Sequence, residues 1–362
     1  MNKISGKIIN YNESFLGEII FDNNIKNISK LLDIKDEQYI IPGFIDLHCH
    51  GAMGHDTMMG LQSIKKMADY HLSKGSTTLL PTTLTNTYEN TEYALKGFNS
   101  EFLFNKLSNV MGVHLEGPFI NKNKLGAQPS YSQKPNLEFI NEIKKIANIK
   151  VVTLAPELEG ADELINYLVE ENINIQIGHS IADYNCCKKI MNKNKIGFTH
   201  LYNAMSGNDH RNPGVLSAAL EIGEYAEIIC DLNHVSESAI KIAKKCIKKL
   251  YAVTDAIGAT GMANGFYDFV GISIEKKENI SVLKNTSTLA GSIMNMHSTF
   301  KNLCNINFTL EEAVSMTSYN AAQYINEKKL GIISLEAISN ILVLDKELNL
   351  KEIYLNGKKI DS

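Results

Sequence analysis

The sequence predicts an α/β protein: a (β/α)8 TIM-type barrel carrying a small β-sandwich domain formed from both termini. Three observations point there. Eight strand-like runs recur along the middle of the 362-residue chain. Amphipathic segments with helical spacing lie between them. The two ends hold short strand runs with no helical pattern among them. Alternating strand and helix gives parallel strands joined by right-handed crossovers. Eight such units over about 250 residues fit a closed barrel. A doubly wound open sheet is the alternative, because periodicity alone does not prove closure.

Taken in order, residues 1–42 contain the runs Lys7-Ile8-Ile9 and Gly17-Glu18-Ile19-Ile20-Phe21. The barrel strands are expected at 44–50, 77–84, 110–116, 151–155, 173–179, 197–202, 226–231 and 251–255. Several are nearly continuous apolar runs, as strands buried on both faces require. Helices are expected at 61–74, 138–147, 161–171, 182–194 and 236–249; in the first, Ile64, Met67, Ala68, His71 and Leu72 fall on one face. A helical segment at 308–327 joins the barrel to a tail with strand runs at 341–345 and 352–357. The expected division is a small β-domain from 1–42 and 332–362, and a hydrolase barrel from 43–331.

Composition narrows the function. Hydrophobic residues make up 44% and charged residues 21%, ordinary values for a globular protein. A net charge of −4 gives no electrostatic case for nucleic acid. No apolar stretch is long enough to span a bilayer, and the opening residues lack the apolar core of a signal peptide. Cysteines 49, 186, 187, 230, 246 and 304 form no CxxC pair or regular framework, so reduced thiols in a cytoplasm are expected.

In a parallel barrel the carboxyl ends of all strands meet at one mouth. His48 and His50 lie two apart at a strand end, so they share a face while Cys49 turns away. Glu116, His179, His200 and Asp255 each end an apolar run at the same register of separate units. Imidazole nitrogens and carboxylate oxygens suit zinc, iron or a similar divalent ion. Such an ion lowers the pKa of bound water to about 7. A free carboxylate beside that water can take its proton and return it to a leaving group. Asp255 is assigned that role. Taken singly, each residue has an ordinary reading: Glu116 as a strand-end carboxylate, Asp255 as a helix cap. His55, His71, His114, His210 and His297 are left as core or surface histidines.

These motifs carry a resemblance. They are the run 42–51 (PGFIDLHCHG), His114-Leu115-Glu116-Gly117-Pro118-Phe119, Gly178-His179-Ser180, the run 199–205 (THLYNAM), Val253-Thr254-Asp255-Ala256 and Leu289-Ala290-Gly291-Ser292. In this order, and over nearly its whole length, the chain resembles the N-acetylglucosamine-6-phosphate deacetylase family of the amidohydrolase superfamily. The resemblance implies a metal held by Glu116, His179 and His200, with Asp255 as acid and base. Through His48 and His50 it allows a second ion, so one or two per chain, zinc or iron. The bridging role then falls to Glu116 rather than to a carboxylated lysine.

For the substrate, the resemblance implies Asn203 and Ala204 near a sugar phosphate, with Arg211 and His234 as its donors and Asp231 close by. Ala127 and Gln128 match a substrate loop in which many members carry histidine at the Gln128 position. Leu289, Ala290 and Gly291 line the far side. In the tail, 337–340 replaces an Asp-rich turn common in the family. The expected reaction is hydrolysis of the acetamido group of N-acetyl-D-glucosamine 6-phosphate, a step of amino-sugar catabolism, by a cytoplasmic homodimer without nucleic-acid or membrane partners. The alternatives are a deacetylase of N-acetylgalactosamine 6-phosphate or another N-acyl amino sugar, and a non-catalytic metal-binding scaffold.

Overall fold

Eight parallel strands form a ring in the computed structural model, which describes residues 1–31, 37–103, 105, 108–192, 194–269 and 271–360. The expected helix 182–194 and the two ranges of the small domain run partly over residues outside this set. The barrel strands are Phe44–Cys49, Ser76–Thr83, Val113–Glu116, Ile149–Leu154, Asn174–Ile177, Ile196–Phe198, Tyr225–Ile229 and Lys249–Val253. The first six pair in sequence order, and the last two pair with each other. Two backbone bonds close the ring. Leu201 N–H donates to Glu227 O, and Asp255 N–H donates to His48 O, both at 2.8 Å. The open-sheet alternative is thereby excluded.

One helix follows each strand, from Leu61–Ser73 to Met296–Asn305. The starts are set by side chains that accept orphan backbone N–H groups. Asn136 caps Phe139, Asp183 caps Cys186, and Ser236 caps Ala239. Each helix lays an apolar face on the strands. The barrel interior is packed too, by Ile45, Leu47, Leu80, Val151, Tyr251 and Val253.

The segment expected to be one helix at 308–327 consists of Leu310–Val314 and Asn320–Tyr324 joined by a π-helical turn, Ser315–Tyr319. It plugs the barrel floor. Tyr324 stacks on Tyr251 and donates from its hydroxyl to Ile175 O at 2.8 Å. Gly197 makes room for it: a Cβ there would lie 2.8 Å from that hydroxyl.

Both termini do build the small β-domain. Its strands form one seven-stranded sheet rather than two separately bonded layers. Tyr39–Pro42 is the reason. It pairs parallel with Asn2–Ile9 and antiparallel with Ile341–Leu344, joining N- and C-terminal strands into one ladder. Ile8, Ile19, Phe21, Ile40, Ile341 and Tyr354 make its core. A further element has no counterpart among the sequence-based expectations. An antiparallel meander, Gly265–Phe269, Ile272–Lys277 and Ile280–Leu283, is inserted between the eighth strand and its helix. Among the described residues, no helix is long and apolar enough to cross a membrane.

Candidate active site

Where the barrel strands end, the backbone turns sharply. His179, His200 and Asp255 have φ of 49°, 29° and 49°, left-handed values that are uncommon without glycine. Such backbone persists only where surrounding structure enforces it, and it concentrates at functional sites.

Glu116 is the centre of the arrangement. Its Oε1 lies 3.0 Å from His179 Nε2 and 3.0 Å from His200 Nε2. Its Oε2 lies 3.2 Å from His50 Nε2 and 3.5 Å from His48 Nε2. The carboxylate thus divides its two oxygens between two histidine pairs. Within each pair the Nε2 atoms face each other at 3.1 Å. Asp255 Oδ1 stands 3.2 Å from His50 and 3.5 Å from His48. All six side chains are buried. Two groups able to hold a metal ion result, Glu116–His179–His200 and His48–His50–Asp255.

The far side of each ring tests whether these residues fit a cation. His179 Nδ1 faces Lys124 O at 2.7 Å, and His50 Nδ1 faces Thr82 O at 3.1 Å. A carbonyl only accepts, so each Nδ1 carries a proton and each Nε2 is the nitrogen left to give a lone pair to a cation. His48 Nδ1 faces the Glu227 carboxylate at 3.0 Å, with the same consequence. His200 Nδ1 has no hydrogen-bond partner among the described residues. Ligating histidines are typically held in this way.

The electrostatics agree. Burial disfavours a charged His50, yet hydrogen bonds to Asp255 and Glu116, and the Glu116 charge, lift it to about 9. Burial likewise opposes charge on His48, but Glu116, Glu227 and Asp255 raise it well above the ordinary histidine value. Asp255 is pulled the other way. Burial would raise it, but the charges of His48 and His50 hold it at about 2. Protons on these rings answer a local excess of carboxylate; a divalent cation answers the same excess.

Above these six side chains opens a cavity of about 370 Å³. Of the sequence-predicted substrate residues, Ala127, Gln128, Asn203, Ala204, His234, Leu289 and Gly291 line it. Three do not. Ala290 is buried behind the wall, and Asp231 supports His234 through a 2.7 Å bond to Nδ1. Arg211 sits on an exposed turn outside the lining, its backbone N–H bonded to Asp209. Gln128 is locked in one orientation. Its oxygen accepts from Thr85 N–H at 2.8 Å, so its amide nitrogen is turned to Glu116 Oε2.

The lining also includes Leu84, Phe269, Ser287 and Thr288, which sequence reasoning did not select. Phe269 belongs to the inserted meander, whose position no local pattern discloses. Glu227 was missed as well. Its only signal was a carboxylate inside the apolar strand Tyr225–Ile229.

A closed barrel with histidines and carboxylates gathered at its mouth defines a class, and comparison agrees: residues 39–360 match the amidohydrolase family, to which the chain belongs. Its relatives are more particular. N-acetylglucosamine-6-phosphate deacetylase from Lysinibacillus sphaericus is 33% identical over 89% of this chain and 85% of that protein. N-acetylgalactosamine-6-phosphate deacetylase from Escherichia coli O157:H7 is 28% identical over 90% of this chain and 88% of that one. The crystal structure of N-acetylglucosamine-6-phosphate deacetylase from Thermotoga maritima superposes with a TM-score of 0.92 at 29% identity, covering 99% of both chains.

Proposed function

We propose that the protein hydrolyses the acetamido group of N-acetyl-D-glucosamine 6-phosphate to glucosamine 6-phosphate and acetate. The observation that carries this reading is the Glu116 carboxylate split between two histidine pairs on the floor of a sugar-sized cavity, with Asp255 on its open side.

Glu116, His179 and His200 would hold one divalent ion, zinc or iron, and His48 and His50 a second beside it. A bound ion of this kind generates hydroxide from water near neutral pH and polarises the carbonyl under attack. Asp255 is ionised at neutral pH and accepts the proton of the attacking water. It then delivers that proton to the amine nitrogen as the C–N bond breaks. Glu116, with both oxygens engaged, takes no part in proton transfer. Leu84, Phe269 and Leu289 supply apolar wall to the cavity. Asn203, Ala204 and His234 line the sugar-phosphate side, with Asp231 steadying His234.

Arg211 is the chain's only arginine, and its forked donors match a phosphate. It lies outside the cavity lining, so in a homodimer it would serve the phosphate of a second copy. We place the division between small domain and barrel at residues 43 and 332. A cytoplasmic setting is supported by free thiols at all six cysteines.

The test is acetate release from N-acetyl-D-glucosamine 6-phosphate by metal-stripped protein before and after addition of zinc or ferrous ion. Release that returns with the ion supports the reading. No release with any divalent ion overturns it. Faster release from the galactosamine epimer would transfer the assignment to that sugar.

A further inference from the structure

Glu227 sits in the middle of the seventh barrel strand with no surface exposed to solvent. It does not line the cavity and is not one of the six groups described above. Its environment is unusual for a buried carboxylate, because its hydrogen-bonding neighbours are three nitrogens: an amide, a backbone N–H and an imidazole. Gln176 Nε2 donates to Oε1 at 2.8 Å. His48 Nδ1 and the backbone N–H of His200 meet Oε2 at 3.0 Å and 3.3 Å. The Gln176 oxygen lies 2.8 Å from Thr199 Oγ1, on the side away from Glu227, so the amide nitrogen is the end turned to the carboxylate.

An amide nitrogen on one oxygen and a backbone N–H on the other suit an acceptor-only, ionised carboxylate, against which His48 Nδ1 can only donate. The consequence falls on His48. Its Nδ1 must carry a proton, so its Nε2, which faces His50, Glu116 and Asp255, is the nitrogen left to give a lone pair to a cation. His50 and His179 receive the same instruction from neutral backbone carbonyls. Only His48 receives it from a charge, which also makes the imidazole a stronger donor to a cation.

We infer that Glu227 is a positioning residue that fixes His48, and thereby sets how tightly the His48–His50 position holds its ion. This rests on the metal-hydrolase reading above and adds to it a residue outside the ligand set.

The experiment titrates metal-stripped wild type and Glu227→Gln with zinc(II), counting bound ions by elemental analysis and reading affinity from competition with a chelator. The glutamine variant puts an amide nitrogen against one of three donors while keeping the volume. The expected result is two zinc ions per wild-type chain. The variant keeps one at wild-type affinity and binds the other roughly 10- to 100-fold more weakly. A purely structural role would weaken both ions together or neither. Equal affinity of variant and wild type at both positions overturns the inference. A wild type that binds a single zinc, unchanged in the variant, also overturns it while leaving the hydrolase reading intact. A wild type that binds no zinc and releases no acetate sinks that reading itself.

The second measurement needs no substitution at Glu227, so misfolding of the variant leaves the question decidable. Nitrogen-15 NMR of zinc-loaded, histidine-labelled wild type, assigned with His48→Gln, should place the His48 proton on Nδ1 with a strongly downfield proton resonance. A proton on Nε2 overturns the inference.

Discussion

Two sets of buried histidines lie within this barrel, and they behave in opposite ways. His48, His50, His179 and His200 present Nε2 to carboxylates and to one another. His71 and His114 are just as buried and also have ligand-type neighbours: His71 with Cys49 and Asp46, His114 with His48 and Glu227. Their ring nitrogens, however, meet neutral groups. His114 donates from Nδ1 to Leu47 O at 2.9 Å and accepts from Thr153 Oγ1 at 2.7 Å. His71 Nε2 lies 3.1 Å from Cys49 Sγ and 3.2 Å from Gly51 O. Burial therefore dominates and pushes both down to about 4, whereas His48 and His50 are driven up. Residue type and burial do not make a ligand. What matters is whether the free nitrogen faces charge or a satisfied neutral partner.

The largest effect that would test this contrast is at the acid. Asp255→Asn should lower kcat by about 10²- to 10⁴-fold while the ion at Glu116, His179 and His200 stays bound. Wild-type turnover in an acetate-release assay would remove Asp255 from the chemistry.

Next comes the direct comparison of the two sets. His179→Asn should lose the ion at the Glu116 position, and His114→Asn should keep it and lose only thermal stability. Elemental analysis of the two purified variants decides; equal metal content in both would erase the distinction.

A third effect follows from titration. His71 is held near 4 in the folded chain and returns to about 6.5 when unfolded. Its folded value is depressed, so its contribution to stability is complete above about pH 6.5 and is lost as pH falls toward 4, at up to ~1.4 kcal/mol per pH unit. Subtracting the unfolding free energy of His71→Asn from that of wild type isolates this one group. The difference should fall across that window as pH falls, and a flat difference would mean that the ring is not held neutral.

The smallest effect belongs to the periphery. Arg211→Ala should raise KM several-fold with little change in kcat, because a phosphate contact is shared by ground and transition states. An unchanged KM would detach Arg211 from the substrate.

Much of this site is legible in the amino-acid order. Period-2 alternation puts His48 and His50 on one face, and their Nε2 atoms meet at 3.1 Å. The repeated position at a strand end brings Glu116, His179, His200 and Asp255 to one mouth. The same rule says that His114 and Glu116 share a face, which is true, yet His114 lies deeper, its ring 4.7 Å from that of His48. Depth along a barrel is set by strand tilt and stagger, and no local pattern encodes it. Glu227 escapes for the same reason. A lone carboxylate in an apolar strand has meaning only when its neighbours from other strands are known.

By itself the sequence determined the alternation of strands and helices, the residue types at the strand ends, and the chemistry they could support, because backbone periodicity and side-chain chemistry are local. Tertiary structure alone decided that the ring closes, that both termini share one sheet, and that Phe269 from an inserted meander walls the cavity. It also decided which nitrogen of each histidine keeps its lone pair. Those outcomes depend on contacts between segments far apart in the chain, such as the bond across 179 positions between His48 and Glu227. Geometry of that kind exists only once the whole barrel has formed.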